Sequence, residues 1–178
     1  MNTVREEFSD LPDATQVTRV TLRLMVAAVL GGVLGYEREK KGKAAGMRTH
    51  MLVALGAALF VLIPQQARVT DADMTRVLQG LVAGVGFLGA GAIIRVSDNG
   101  EVKGLTTAAG IWLTAAIGMA AGMGREATAI LCTVLALGVL SVFPKVAQSL
   151  EGREQPPAPQ PPEVRDPPQP PKKRGSTR

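Results

Sequence analysis

The sequence predicts an all-α protein, a polytopic helix bundle set in a membrane, and three observations carry that fold class. Long uncharged runs occupy 24–36, 51–67, 77–94, 104–124 and 127–144. The last three reach or exceed the ~20 residues a helix needs to cross a ~30 Å hydrocarbon core. A soluble bundle would interrupt such runs with a polar face at every turn. Second, the hydrophobic fraction of 46% is ordinary, but residues 148–178 are almost wholly polar or proline, so the apolar residues concentrate in 20–147. Third, lysine and arginine gather in particular connections rather than on helix faces.

Five spans follow in order, reduced to four if the first lies on the surface. The segment 1–19 is polar and opens M-N-T-V-R-E-E-F-S-D-L-P-D, without the basic flank and short apolar core of a cleavable signal peptide. The first span, about 20–36, therefore serves as its own insertion signal. Arg23 sits one turn inside it, where it can snorkel to the interface or pair with a buried acid. The second span, about 49–66, is opened by Arg48, Thr49 and His50. The third is 77–94, the fourth 104–123 with Thr106, Thr107 and Thr114, and the fifth 127–144. Cys132, the single cysteine, is expected to be a packed thiol, since no intrachain disulfide is open to it. Nine of the twelve prolines follow Gln155, a density that forbids helix and sheet ladders and predicts a disordered tail over 148–178.

Charge gives the orientation. With five spans, the connections after the first and third spans and the tail collect fourteen Lys and Arg against five on the other side, Arg23 being left within its span. The positive-inside rule places the N-terminus outside and the C-terminus in the cytoplasm. The cluster Arg38, Lys40, Lys41, Lys43 and Arg48 alone gives the same answer. The basic surplus lacks interleaved aromatics for base stacking, so the expected partner is the lipid bilayer and not nucleic acid.

Residues 84–95, G-V-G-F-L-G-A-G-A-I-I-R, contain the dinucleotide fingerprint G-x-G-x-x-G. That motif needs a preceding strand and an acid about twenty residues on. Neither is present, and the glycines lie inside an uncharged run. They read instead as helix-packing residues, because helices in lipid associate by close approach. Gly80, Gly84 and Gly91 share one face of the third span, while Ala83, Gly86 and Ala90 share another. The third span is therefore expected at the centre of the bundle, with Gly31 and Gly35 of the first and Gly118 and Gly122 of the fourth as its partners. A second reading stays open. Five glycines in 80–91 weaken a helix, and a broken third span with Thr106 and Thr107 nearby could expose carbonyls to an ion.

At the basic end, Glu37 and Arg38 close the first span opposite Arg48 and Thr49. Glu37 is expected to pair with Arg48 and fix the hairpin, or to bind a regulatory ligand. His50 alone makes no metal site. Asp71, Asp73, Asp98 and Glu101 are scattered through connections, although magnesium sites can be sparse and water-filled. A metal ligand set is thus unassigned. No catalytic constellation, cofactor motif or P-loop is present, and nothing in the sequence supports an enzyme.

Four blocks resemble the MgtC/SapB family of bacterial inner-membrane proteins: R-L-M-V-A-A-V-L-G-G-V-L-G-Y-E-R-E (23–39), A-G-M-R-T-H-M-L-V-A-L-G-A-A-L-F (45–60), R-V-L-Q-G-L-V-A-G-V-G-F-L-G-A-G-A-I-I (76–94) and V-K-G-L-T-T-A-A-G-I-W-L-T-A-A-I-G (102–118). The resemblance covers the first four spans in order. It implies a multi-pass inner-membrane domain linked to magnesium limitation and, in pathogens, to survival inside host cells. The label of magnesium-transport ATPase sometimes given to such proteins finds no ATPase motif here. The family's motif positions fall on Arg23, Gly35, Glu37, Arg38, Gly46, Arg48, Thr49, Arg76, Gly84, Gly86, Gly89, Gly91, Gly104, Thr107 and Trp112. Some members have asparagine where Thr106 stands. Many carry a folded cytoplasmic domain where this chain has its proline-rich tail. The resulting expectation is a non-catalytic protein that modulates a membrane partner in magnesium homeostasis, with self-association as a homodimer also suggested by the small-residue faces. The rival is a small transporter or channel for a cation or other solute.

Overall fold

A computed structural model describes residues 13–93 and 102–151, with side chains described as far as Val142 in the second stretch. Residues 148–151, the first of the expected disordered tail, are helical and belong to the last helix, which corrects that boundary; the rest of the tail, Asp98 and Glu101 lie outside the described residues. Five helices follow one another: α1 Ala14–Lys40, α2 Met47–Gln66, α3 Asp71–Ile93, α4 Leu105–Gly122 and α5 Glu126–Glu151. Four of them, α1 to α4, are long and apolar enough to cross a membrane, and α5 has a shorter described apolar stretch, Glu126–Val142.

Local chemistry sets the helix ends. Asp13 accepts the amide of Gln16 at 2.6 Å and so caps α1, which starts ahead of the uncharged run. At 27 residues α1 is about 40 Å long, so its charged ends project beyond the hydrocarbon core. The start of α2 is capped from across the hairpin: Glu39 Oε2 accepts the Met47 amide at 2.8 Å. Thr70 Oγ1 accepts the Asp73 amide ahead of α3, whose first turn carries Asp71 and Asp73 against the helix dipole.

Packing places α4 at the centre, where it touches all four other helices. Nine of its eighteen residues are buried, against only Val85 and Gly89 of the 23 in α3. The expectation of a central third span is therefore corrected. The reason lies in side-chain size along α4, where Ala108, Ala115, Gly118, Ala121 and Gly122 let neighbours approach on several sides. One core joins α1, α2, α4 and α5 through Ala27, Leu34, Ala54, Ala58, Ile117, Ala121, Ala129 and Ala136, with Cys132 packed against it. A second joins α2, α3 and α4 through Ala57, Val85, Ile111 and Ala115.

The glycines of α1 and α4 do not meet α3. A Cβ on Gly31 would lie 2.6 Å from the His50 carbonyl oxygen and 2.9 Å from Ala54 Cβ, and one on Gly118 would collide with the Ala54 carbonyl oxygen. Ala54 of α2 is thus gripped between the two. Gly35 and Gly122 repeat the contact at Met47 and Ala58. α3 is an unbroken α-helix through Gly80, Gly84, Gly86, Gly89 and Gly91, so the broken-helix reading is corrected as well. Gly89 alone of these five contacts a neighbour, Ala108, and the other four have open space where a Cβ would stand.

Candidate functional site

At the end of the bundle where α1 leaves and α2 begins, three ionisable side chains are enclosed. Arg38 is 3% exposed and His50 is 0% exposed. Both carboxylate oxygens of Glu37 are buried. Helical spacing accounts for the convergence. Gly35, one turn before Arg38, lets α1 pack directly on α2, with His50 Cβ at 3.0 Å from the position of a glycine Cβ. His50 shares its helix face with Ala54, Ala57, Ala58 and Val61, all buried. Its ring reaches α4, where Gly110 leaves the imidazole room at 3.5 Å from a Cβ position.

The polar contacts tie the end of α1 to α4 and α5 and hold the His50 ring against the start of its own helix. Arg38 Nη2 donates to Thr106 Oγ1 at 3.0 Å, across 68 residues of sequence, one helical turn from Gly110. His50 Nδ1 lies 2.9 Å from the Gly46 carbonyl. Lys41 Nζ lies 2.5 Å from Glu37 Oε1 and donates to the Leu140 carbonyl of α5 at 2.5 Å. Beside this nest a cleft of about 810 Å³ opens between the α1–α2 turn and the start of α4, lined by Lys43, Ala44, Ala92, Gly104, Thr106 and Thr107. Gly104 has φ +102°, and a Cβ there would strike the Ala92 carbonyl oxygen, so glycine is required where α4 starts against the end of α3.

At the opposite end Arg23 has a comparable role. Its Nη1 donates to Gln65 Oε1 at 2.6 Å and to the Gly122 carbonyl at 3.1 Å, while Nε stands 4.0 Å from Glu126 Oε1. The Gly122 carbonyl is the negative end of the α4 dipole. Arg23 is thus held by an amide and a backbone carbonyl, and the acid nearest it, Glu126, is only half-buried, so the expected pairing with a buried acid is not what holds it.

A family model described as the MgtC family matches residues 24–149. This chain belongs to the MgtC family. It is 42% identical over 138 residues to protein SrpB of Synechococcus elongatus, covering 71% of this chain and 76% of SrpB. It is 43% identical over 129 residues to the putative magnesium transporter YhiD of Escherichia coli K12, covering 68% of this chain and 59% of YhiD. It is 42% identical over 125 residues to protein MgtC of Brucella abortus, covering 70% of this chain and 51% of that protein. The chain thus spans between half and three fifths of the length of the last two relatives. No solved structure matches it. Like its relatives in this family, it is a multi-pass protein of the bacterial inner membrane.

The candidate residues divide once they are placed in space. Glu37, Arg38, Thr106 and Thr107 come together in or beside the nest, and Arg23 lies at the other end. Arg48 and Thr49 are exposed, and the expected Glu37–Arg48 pair is replaced by Glu37–Lys41. Arg76 pairs with Asp73 at 3.0 Å on the surface of α3, and Trp112 is 47% exposed on the outer side of α4. Thr114 bonds back to the Gly110 carbonyl at 2.8 Å, as membrane-helix threonines commonly do. His50 is the functional-site residue that motif reasoning passed over. Its signal was positional: it continues the uncharged i, i+4 row Ala54, Ala58 and Leu62 by one more turn. Among the described residues no group of three or more His, Cys, Asp and Glu is placed to hold a metal.

Proposed function

We propose that this chain acts by modulating a membrane partner in the setting of magnesium homeostasis, without catalysing a reaction. Family membership, and the description of the relative YhiD as a putative magnesium transporter, support the magnesium context. The observation that carries the mode of action is the uncovered side of α3. Between α2 and α3 runs an apolar groove of about 600 Å³, lined by Leu52, Gly56, Phe60, Gly80, Gly84 and Leu88 among others. Gly56, Gly80 and Gly84 have nothing within 4 Å of a Cβ position, so the floor of the groove is bare backbone. In lipid, such surfaces gain by admitting another helix at close range. The proposed occupant is a transmembrane helix of a partner protein. The five-span arrangement, with the N-terminus outside and the tail in the cytoplasm, belongs to this proposal and rests on the lysine and arginine distribution.

The rival reading, a cation or solute transporter, was built on a broken third helix, and α3 is continuous. The test has two arms. Purified protein in liposomes is expected to pass no magnesium, and flux abolished by Gly86→Leu would replace the proposal with transport. In cells, a photo-crosslinker at Phe60 is expected to trap a membrane protein through a helix identified by mass spectrometry, and to lose it in Gly84→Leu. Adducts with lipid alone, or with a second copy of the chain, would reject the heterologous partner.

A further inference from the structure

The cleft of about 810 Å³ between the α1–α2 turn and the start of α4 is used neither by the packing of the helices nor by the groove between α2 and α3. Its lining is cationic and rich in donors. Lys43 of the turn and Lys103 ahead of α4 stand on it, with Thr106 and Thr107 on the first turn of α4. No carboxylate lines it among the described residues. Glu37 and Glu39, the nearby acids of α1, are turned elsewhere. Glu39 Oε2 accepts the Met47 amide at 2.8 Å, and Glu37 Oε1 lies 2.5 Å from Lys41 Nζ.

α4 begins on this cleft without a cap. The Ala108 amide donates to the Gly104 carbonyl at 2.8 Å, so the amides of Leu105, Thr106 and Thr107 precede the helical ladder. Gly104 occupies the N-cap and has no side chain to meet them. A helix start of this kind favours an anion. Two side chains add to it independently. Thr107 lines the cleft and is 3% exposed. Thr114 and Thr133 return their hydroxyls to the carbonyl one turn back at 2.8 Å, a bond that Thr107 does not make among the described residues. Its hydroxyl is left to the cleft, and an enclosed hydroxyl calls for a partner. Thr106 Oγ1 accepts from Arg38 Nη2 at 3.0 Å and so keeps its own hydrogen to give. Arg38, enclosed and with Nε unpaired, places a positive charge directly behind that hydroxyl.

Lysines, uncapped amides and donor hydroxyls without a carboxylate suit an anion with several acceptor oxygens, and a phosphate supplies them. The rim of the cleft distinguishes its source. Val102 and Leu105 belong to the same lining and are each 58% exposed. The cleft lies at the end of the spans, where a multi-pass chain meets the headgroup layer, and basic pockets there take lipid headgroups. We propose that this cleft binds the phosphate of an anionic phospholipid. The free oxygens of the phosphate face Thr106, Thr107, Lys43 and Lys103, and the start of the acyl chains runs along Val102 and Leu105. A soluble phosphate compound satisfies the same donors but leaves that apolar rim uncovered. The bound headgroup joins the α1–α2 turn to the start of α4, two parts of the chain already linked by the bond from Arg38 to Thr106.

The test titrates full-length protein in detergent micelles with phosphatidylglycerol or phosphatidylcholine and counts bound lipids by native mass spectrometry. Phosphatidylglycerol is expected to bind about tenfold more tightly than phosphatidylcholine. Thr107→Val, which changes no charge, and Lys43→Gln are each expected to weaken phosphatidylglycerol about fivefold. Lys40→Gln removes an exposed cation at the same end that does not line the cleft, and is expected to change binding less than about twofold. If Thr107→Val fails to fold, the contrast between Lys43→Gln and Lys40→Gln decides alone. Equal losses at Lys40 and Lys43 would show a diffuse basic surface and overturn the proposal. Equal binding of the two lipids, or unchanged affinity in folded Thr107→Val, would overturn it too. Glycerol phosphate carries the headgroup phosphate without the chains. If it displaces the bound lipid as readily as added phosphatidylglycerol does, the guest is a soluble phosphate compound and the lipid assignment is overturned.

Discussion

The glycines of α1 and α4 are filled in by another helix of the same chain, whereas most of those of α3 face open space. Gly31 and Gly118 close on Ala54 from two sides, at separations no Cβ could tolerate. Gly80, Gly84, Gly86 and Gly91 have the same composition and comparable spacing, yet no protein atom lies within 4 Å of where their Cβ would be. A small residue at helical spacing therefore marks a surface that can be approached closely. It does not say whether the approaching helix is encoded in the same chain.

Substitutions can break or sharpen that contrast, and the largest effect is expected at Gly118. Gly118→Leu forces a side chain into the α2 backbone and should cost more than ~3 kcal/mol, enough to remove the folded peak in size-exclusion chromatography of solubilised protein. Next comes Arg38→Gln, which removes the donor to Thr106 and should cost about 1–3 kcal/mol in denaturant unfolding in micelles. A double-mutant cycle with Thr106→Val should return a coupling energy above ~0.5 kcal/mol, and zero would deny that the 3.0 Å contact joins α1 to α4. Arg23→Gln at the other end should cost about 1 kcal/mol, since its carboxylate partner is 4.0 Å away and the site is partly solvated. Smallest is Gly84→Leu, expected to leave the melting temperature unchanged or slightly raised, because a better helix former replaces glycine on an open face. A loss at Gly84 as large as at Gly118 would erase the distinction between the two regions.

The elements were largely legible in the sequence because exclusion of charge from a lipid-facing helix is a one-dimensional signal. All five uncharged runs became helices, with α1 and α3 extending ahead of theirs into charged residues that meet the interface. The arrangement was less legible. Centrality depends on which faces of a helix are covered, and α4 was hidden because its small residues are mostly alanine and threonine, whereas the glycines of α3 drew attention. The partners of Glu37 and Arg38 were out of reach for a related reason. Lys41 is a local i,i+4 neighbour that competes with the expected Arg48, and Thr106 becomes a neighbour only once α4 has docked. Burial of His50 follows from Gly31 and Gly35 allowing α1 so near, a three-dimensional consequence of two missing side chains.

The grip on Ala54 also bears on how the domain is assembled. Helices leave the ribosome in chain order, so α1 and α2 can close on each other as a hairpin while the second face of α2 still waits. The helix that fills it is α4, and α3 must be threaded first and left outside that contact. Synthesis therefore passes through a stage in which Ala54 and Ala58 are open to lipid on one flank. Any agent that captured α2 during that interval would trap a half-built domain that the finished protein could never release.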